Sequence, residues 1–235
     1  MAVAFNAVSA SQSLGGVTGY SFSHTVAAGS NLYIELGLGA APNTADIATA
    51  TYAGVSLSLV GNIDAGAVNG NTAEIWGLIN PATGTNTMSV TGDEALYGGS
   101  GSISYSGVHQ TTPRGAATTG SGLASTNITI TLASSAGDMV SDAIKSYQNA
   151  LTVGASQTSR WAAQDGTFGE WGQGSTEGGQ ASVSMGWSVT VAVVYAVVAA
   201  NIIQAAAGGA FVPTIEYIER HYPRGANRGI MRGVA

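Results

Sequence analysis

Ala181-Ser-Val-Ser-Met-Gly-Trp-Ser-Val-Thr-Val-Ala-Val-Val-Tyr-Ala-Val-Val-Ala-Ala200 is the stretch on which the fold turns. Up to Val189 its apolar residues fall at every second position, the period of a strand with one wet face. Beyond Val189 the alternation gives way to an almost purely apolar run that continues through Ile202 and Ile203 to Phe211. A hydropathy scan would flag about 20 such residues as a membrane span. Asn201 and Gln204 interrupt the run, it is rich in valine, and no basic anchor precedes it. It therefore reads as one long central strand, buried on both faces, and no membrane partner is expected.

The same alternation recurs outward from this strand. Tyr20-Ser-Phe-Ser-His-Thr-Val26, Leu32-Tyr-Ile-Glu-Leu-Gly-Leu38, Thr51-Tyr-Ala-Gly-Val-Ser-Leu-Ser-Leu-Val60, Ala73-Glu-Ile-Trp-Gly-Leu-Ile79 and Thr87-Met-Ser-Val-Thr91 all carry it. Further strands are expected at 102–108, 128–132, 139–144 and 151–155, with Gly, Asn, Asp, Pro or Ser clusters between them. About ten strands at short spacing, and no competing helical stripe before Thr214, predict an all-β antiparallel β-sandwich of jelly-roll or immunoglobulin-like type. With no hinge between two halves, residues 1–206 are read as one sandwich body.

Composition supports a folded chain. Charged residues make up 9% of the 235, against roughly 25% in an average protein, while 45% are hydrophobic, which excludes highly charged disorder. The 34 glycines are about twice the average usage. With no cysteine, disulfide frameworks, thiol catalysis and Cys-ligated metals are excluded. The opening Met-Ala-Val-Ala-Phe-Asn-Ala-Val-Ser has neither a basic region nor an apolar stretch of signal-peptide length, so classical secretion is not expected.

Residues 207–235 differ in kind. Phe211-Val-Pro-Thr-Ile-Glu-Tyr-Ile-Glu-Arg reads as a short helix capped by Thr214, and Arg-Gly units of period four follow at Arg224, Arg228 and Arg232, with Arg220 one step upstream. Residues 1–206 hold three basic and eleven acidic groups, a net charge of −8, whereas 207–235 hold four basic and two acidic, a net of +2. In an extended arm the arginines share a face with Ala226, Ile230 and Val234, leaving the glycines for close backbone approach. A docking arm is expected, with Phe211, Arg220, Arg224, Arg228, Ile230 and Arg232 as its partner-binding residues. Four arginines on an acidic body give little phosphate-driven affinity, so nucleic acid is not the expected partner.

Motifs for chemistry are sparse. His24, His109 and His221 are scattered, no His-Glu-x-x-His, Gly-x-Ser-x-Gly or phosphate loop is present, and Lys145 is the single lysine. His24 and His109 read as structural. The acidic pairs Asp93 with Glu94, Asp138 with Asp142, and Asp165 with Glu170 are the candidates for glycoside hydrolysis, and Asp93 with Glu94 for calcium, but no Asp-x-Asp-x-Asp spacing exists and acidic residues in turns are ordinarily solvated. The expectation is no enzyme, no cofactor and no metal. Arg160-Trp-Ala-Ala-Gln-Asp-Gly-Thr-Phe-Gly-Glu-Trp171 concentrates aromatics, and Trp161, Phe168 and Trp171 could serve as a sugar platform or an interface anchor. The plainer reading is a loop folded over the sandwich edge that buries its own tryptophans. Trp76 and Trp187, on alternating strands, read as core.

Several stretches resemble a β-sandwich module of bacteriophage virion structural proteins that also recurs in bacterial surface proteins. They are Ser23-His-Thr-Val26, Tyr52-Ala-Gly-Val-Ser-Leu-Ser-Leu-Val60, Glu74-Ile-Trp-Gly-Leu-Ile-Asn-Pro-Ala-Thr-Gly84, Tyr105-Ser-Gly-Val-His-Gln-Thr-Thr-Pro113 and Leu151-Thr-Val-Gly-Ala-Ser-Gln-Thr-Ser-Arg-Trp161, spread over residues 19–200. His109 stands where the module has an acidic residue. The resemblance implies a sandwich with a non-enzymatic role and transfers no catalytic residue. Together with the basic arm it implies a capsid decoration or cement protein located on the virion. Its expected partners are the major capsid protein or other virion subunits, and it is expected to be a homo-oligomer within the assembly. The alternative is a carbohydrate-binding or adhesin module using the loop aromatics, with a glycan as ligand.

Overall fold

A computed structural model describes residues 1–41, 46–65 and 70–206. Among these residues fourteen strands follow in chain order: β1 (Ala4–Val8), β2 (Gln12–Val26), β3 (Tyr33–Ala41), β4 (Ile47–Tyr52), β5 (Val55–Ser56), β6 (Ser58–Asp64), β7 (Thr72–Ile79), β8 (Gly84–Ser106), β9 (Thr118–Ala133), β10 (Met139–Tyr147), β11 (Thr152–Val153), β12 (Thr158–Gln164), β13 (Glu170–Gly178) and β14 (Ser182–Ile202). All pairings are antiparallel, and the strands form two sheets packed on one another, an antiparallel β-sandwich as expected. The first sheet runs β5-β4-β8-β3-β7-β6, with β1 and β2 alongside β8; the second runs β11-β14-β10-β13-β12, with β9 alongside β14.

The two sheets repeat one plan. Strand β3 lies between β7 and β8 as β10 lies between β13 and β14, β6 flanks β7 as β12 flanks β13, and β4 joins β8 as β11 joins β14. The longest strands match in detail. Between Thr91 and Leu96, β8 bulges by four residues against one on β2, and between Ser188 and Val193, β14 bulges by four against one on β9. Such bulges bend a strand sharply. The bend lets each long strand serve two layers: Met88 and Val90 of β8 pack on the outer face of β3, whereas Ile103 and Tyr105 face the second sheet. Likewise Val183, Met185 and Trp187 pack on the outer face of β10, and Ala196, Val198 and Ile202 face the first sheet.

Three cores result. One is formed within the first half, around Ile34, Leu36 and Leu38. A second lies within the other half, around Val140, Ile144 and Trp187. The third joins the sheets through Tyr33, Ile75, Tyr105, Ala143, Trp161 and Val198. Glycine sets the spacing in this shared layer. A Cβ on Gly39 would lie 2.5 Å from the Ile144 carbonyl oxygen and 2.9 Å from the Gly172 Cα, and one on Gly99 would lie 2.6 Å from the Ala163 carbonyl oxygen. Backbone thus meets backbone between the sheets, a contact that only glycine permits. The indole of Trp161 fills the adjoining gap, where Gly37, Gly101 and Gly174 leave room for it.

Several sequence expectations are revised. The stretch 51–60 is not one strand, because Ala53 and Gly54 turn the chain with positive φ (51° and 78°) between β4 and β5. Residues 87–91 and 102–108 belong largely to the single 23-residue β8. The segment 160–171 is a loop only at 165–169; the rest supplies most of β12 and the start of β13, so Trp161 is buried by strand packing rather than by a loop folding over an edge. Strand β14 is buried on both faces only from Ala196 onward, since its bulge at 190–192 is exposed. No helix among the described residues is long and apolar enough to cross a membrane. The helix expected after Thr214 lies outside the described residues.

Candidate functional site

Charged side chains on strands that face an opposing sheet must find partners there, because burying a lone charge costs several kcal/mol or more. Glu35 on β3 and Lys145 on β10 are in that position, and both are buried. Glu35 forms an ion pair with Arg114 and accepts hydrogen bonds from the Tyr105 hydroxyl (3.1 Å) and the Ser141 hydroxyl (3.1 Å). Arg114 sits in the segment joining the two halves. It donates from Nε to the Tyr33 hydroxyl (3.0 Å) and from Nη1 to Ser141 Oγ (2.9 Å) and the Ala200 carbonyl (3.2 Å). Its guanidinium also lies 5.0 Å from the Tyr33 ring centroid.

Tyr33 and Arg114 of this network form the polar end of a cavity between the first sheet and the connecting segment. The cavity, about 370 Å³, is otherwise walled by Leu59, Val60, Leu78, Ile79 and Pro113. Arg114 does not offer a free charge to it, since its donors are taken up by the first sheet, the second sheet and Glu35. The arrangement binds the connecting segment to both halves and leaves an apolar groove at the seam.

Lys145 pairs with Glu170 and donates to Asn71 Oδ1, a residue of the opposite half. Burial pulls the ammonium pKa down, opposed by Glu170, and pushes the Glu170 carboxyl up, opposed by Lys145. Asp165, the other member of the proposed acidic pair, is a turn residue: Oδ1 accepts from the backbone N–H of Thr167, Phe168 and Gly169, and Oδ2 from that of Glu170. Asp142 accepts from the backbone and hydroxyl of Ser175 (both 2.8 Å) and from Trp187 Nε1 (2.6 Å), and burial still raises its pKa to about 7. Asp138 accepts from Asn201 Nδ2 and the Gln204 backbone. These carboxylates fix local structure rather than facing one another across a cleft.

A second acidic group lies between β4 and β7. Burial raises Glu74 to about 7; it accepts from the Ile47 backbone and Trp76 Nε1 and hydrogen-bonds the Asp46 carboxyl, which burial also raises. Asp93, in the β8 bulge, is tied to the Asp46 backbone by two hydrogen bonds. Among the described residues no group of three or more His, Asp or Glu is placed to hold a metal. His24 is buried between Ser102 Oγ (2.8 Å from Nδ1) and Ser104 Oγ (3.0 Å from Nε2), and burial lowers its pKa to about 4. Such an enclosed, neutral imidazole is a structural link between β2 and β8. His109 Nδ1 accepts from the Thr112 backbone (3.1 Å), shaping the turn before Pro113.

The three candidate aromatics do not converge. Trp161 is 3% exposed between the sheets, so its ring has no face for a sugar. Phe168 is exposed and stacks edge-on with Tyr97, 4.9 Å between centroids. Trp171 is half-buried on the opposite face of β13 from Gly172, which meets Gly99. Trp76 is half-buried beside the first core and Trp187 lies in the second. Phe211, Arg220, Arg224, Arg228, Ile230 and Arg232 lie outside the described residues. Sequence reasoning passed over Glu35, Asn71, Glu74 and Arg114. The available signal was a single charge inside an apolar alternation, as Glu35 stands in Leu32 to Leu38.

The fold therefore defines an all-β protein of two topologically matching halves, with the buried Glu35, Arg114 and Lys145 linking those halves and the buried Asp142, Glu74 and His24 fixing structure within each. Comparison with protein-family models, with curated proteins and with solved structures finds no match for this chain.

Proposed function

We propose that the chain is a non-enzymatic structural subunit of a virion, a decoration or cement-type sandwich that attaches to a phage shell through residues 207–235 and stiffens it. The observation that carries this reading is the lock between the halves, in which Arg114, Glu35, Tyr33, Tyr105 and Ser141 are spent on joining two sheets and a connecting segment. A body built in this way supplies rigidity and surface. The resemblance to virion sandwich modules gives the setting, and the contrast of charge between the −8 body and the +2 terminal region directs the basic end toward an acidic partner.

The mechanism is linkage. A subunit that binds only the assembled shell stabilises it by RT ln(1 + L/Kd), with L its free concentration, about 2.7 kcal/mol per site at one hundred times Kd. Co-sedimentation of the full chain with particles of its source phage tests the reading. Attachment is expected, and R224Q/R228Q/R232Q is expected to weaken it with the melting temperature unchanged. Attachment indifferent to those substitutions overturns the docking arm, and no attachment at all overturns the virion role. A glycan array with W171A and F168A examines the carbohydrate alternative, which requires glycan binding that those substitutions remove.

A further inference from the structure

Open sheet edges invite pairing with another chain, and proteins blunt them with bulges, charges or short strands. Most edges here are blunted. Strand β6 is bulged between Leu59 and Gly61 and ends in Asp64, β1 is bulged between Phe5 and Ala7, and β5 and β11 are two residues each. Strand β12 is bulged and is capped by Ser11 and Ser13 of the first half, whose hydroxyls bond the Ala162 N–H and the Gln164 carbonyl. Among the described residues two regular edges remain, residues 19–26 of β2 and their counterpart, residues 127–133 of β9, which pair there only with β8 and β14 respectively.

The second of these has a pattern that the first lacks. Within Asn127-Ile-Thr-Ile-Thr-Leu-Ala133, residues 128–132 are a palindrome in polarity about Ile130, with Asn127 opposite Ala133 at the ends. Ile128, Ile130 and Leu132 are buried toward the core of the second half, while Thr129, Thr131 and Ala133 are exposed on the other face. In β2 the same operation about Phe22 sets Tyr20 against His24 and Val26 against Thr18. No charged residue occurs between Arg114 and Asp138, in a body whose net charge otherwise sets copies against one another.

We propose that residues 127–133 of β9 pair antiparallel with the same residues of a second copy, about a two-fold axis at Ile130. A palindromic strand is self-complementary under that operation. Ile128 meets Leu132 of the other copy and Ile130 meets Ile130, extending the apolar layer of each half across the seam. Thr129 meets Thr131 twice on the outer face, a favourable cross-strand pair. The two-fold closes the assembly at two copies and covers both edges, as isologous contacts do. This pairing is independent of the virion reading: it concerns the free protein, and its failure leaves attachment to particles untouched.

The test is the introduction of charge at the exposed seam positions in the full chain. T129K/T131K sets lysine against lysine across both seam pairs, whereas T129K/T131E sets lysine against glutamate in each. Sedimentation equilibrium should show a concentration-dependent dimer for the unsubstituted chain. Dissociation is expected to be roughly tenfold or more stronger for T129K/T131K, with the dimer retained by T129K/T131E. Both variants change exposed positions, and circular dichroism melts confirm the fold of each. A chain that stays monomeric, a T129K/T131K dimer as tight as the original (which would point to β2 or another surface), or equal weakening by both variants overturns the proposal.

Discussion

Replacing Gly172 by alanine tests whether the glycine surplus is a packing requirement. A Cβ at this position would lie 2.6 Å from the Gly99 Cα and closer still to the Gly99 carbonyl oxygen, both of them backbone atoms on the opposing sheet. No side chain can swing away, so the sheets must separate by nearly 1 Å to restore ordinary contact. A gap of about 0.5–1 Å forfeits a quarter to a half of each dispersion contact it opens. The gap would open beside Trp161 and the joint core. The cost should therefore reach the upper end of overpacking penalties, about 3 kcal/mol, which for a body of this size is a fall of about 6–12 °C in melting temperature. Gly178→Ala is the control, because nothing lies within 4 Å of its would-be Cβ and its φ is not in the left-handed region. It should stay within about 0.5 kcal/mol of the parent. Calorimetry and urea unfolding of the two variants decide the matter. A Gly172→Ala protein melting within about 2 °C of the parent refutes the claim that backbone contact sets the sheet spacing.

Other perturbations follow from the buried polar groups. Glu74 has a folded pKa of about 7 against an ordinary 4.5, so the folded state holds the proton more tightly. Stability from this group is full below about pH 4.5, declines as pH rises and is lost above about 7, a swing of at most about 3 kcal/mol. Asp142, also raised to about 7, acts in the same direction. Melting temperature should fall from pH 5 to pH 8, and Glu74→Gln should flatten part of that slope; an unchanged slope removes Glu74 as a cause. Arg114→Ala strands Glu35 and should cost about 3–5 kcal/mol in urea unfolding, with E35Q/R114M recovering much of it; a loss below about 1 kcal/mol contradicts the lock. Trp161→Ala should cost about 3–5 kcal/mol, measured in the same way. Heating should give one calorimetric transition rather than two, because each half carries buried groups whose partners lie in the other.

Strands with one wet face were legible at 20–26 and 128–132, where alternation is what burial of one side imposes, whereas the same alternation at 32–38 and 73–79 marks strands largely buried on both faces, with Glu35 and Glu74 held there by partners. Strand β13 was not. Gly172-Gln-Gly-Ser-Thr-Glu-Gly178 looks like a loop, yet it is almost wholly buried, because glycines supply its inner face and its polar side chains have partners: Gln173 on the Leu151 backbone, Ser175 on Asp142, Thr176 on Arg160. The continuity of β8 was hidden in the same way, since Gly92-Asp-Glu-Ala95 reads as a turn and forms a bulge. Among the candidate site residues, Trp161 reads as part of a loop that buries its own tryptophans, whereas it lies on β12 and the glycines that receive its ring lie on three other strands, β3, β8 and β13.

The matching plan of the halves was invisible in residue identities because the equivalent positions carry different chemistry. Glu35 on β3 reaches Ser141 of β10, while Lys145 on β10 reaches Asn71 just before β7. Each half thus sends one charged side chain across the joint layer to a neutral group of the other, and neither arrangement is complete in a single half. The strand contacts obey the same exchange: β12 packs on β8 as β6 packs on β14, and β13 on β3 as β10 on β7, with β3 and β10 facing each other at the centre. An approximate two-fold therefore relates the halves, and it uses up the inner face of each sheet. What it leaves outward are the outer layers, where β2 and β9 run along the bent ends of β8 and β14. Within the described residues, pairing of one copy with another falls to those edges or outer faces, and of the two equivalent edges the second carries the self-complementary sequence.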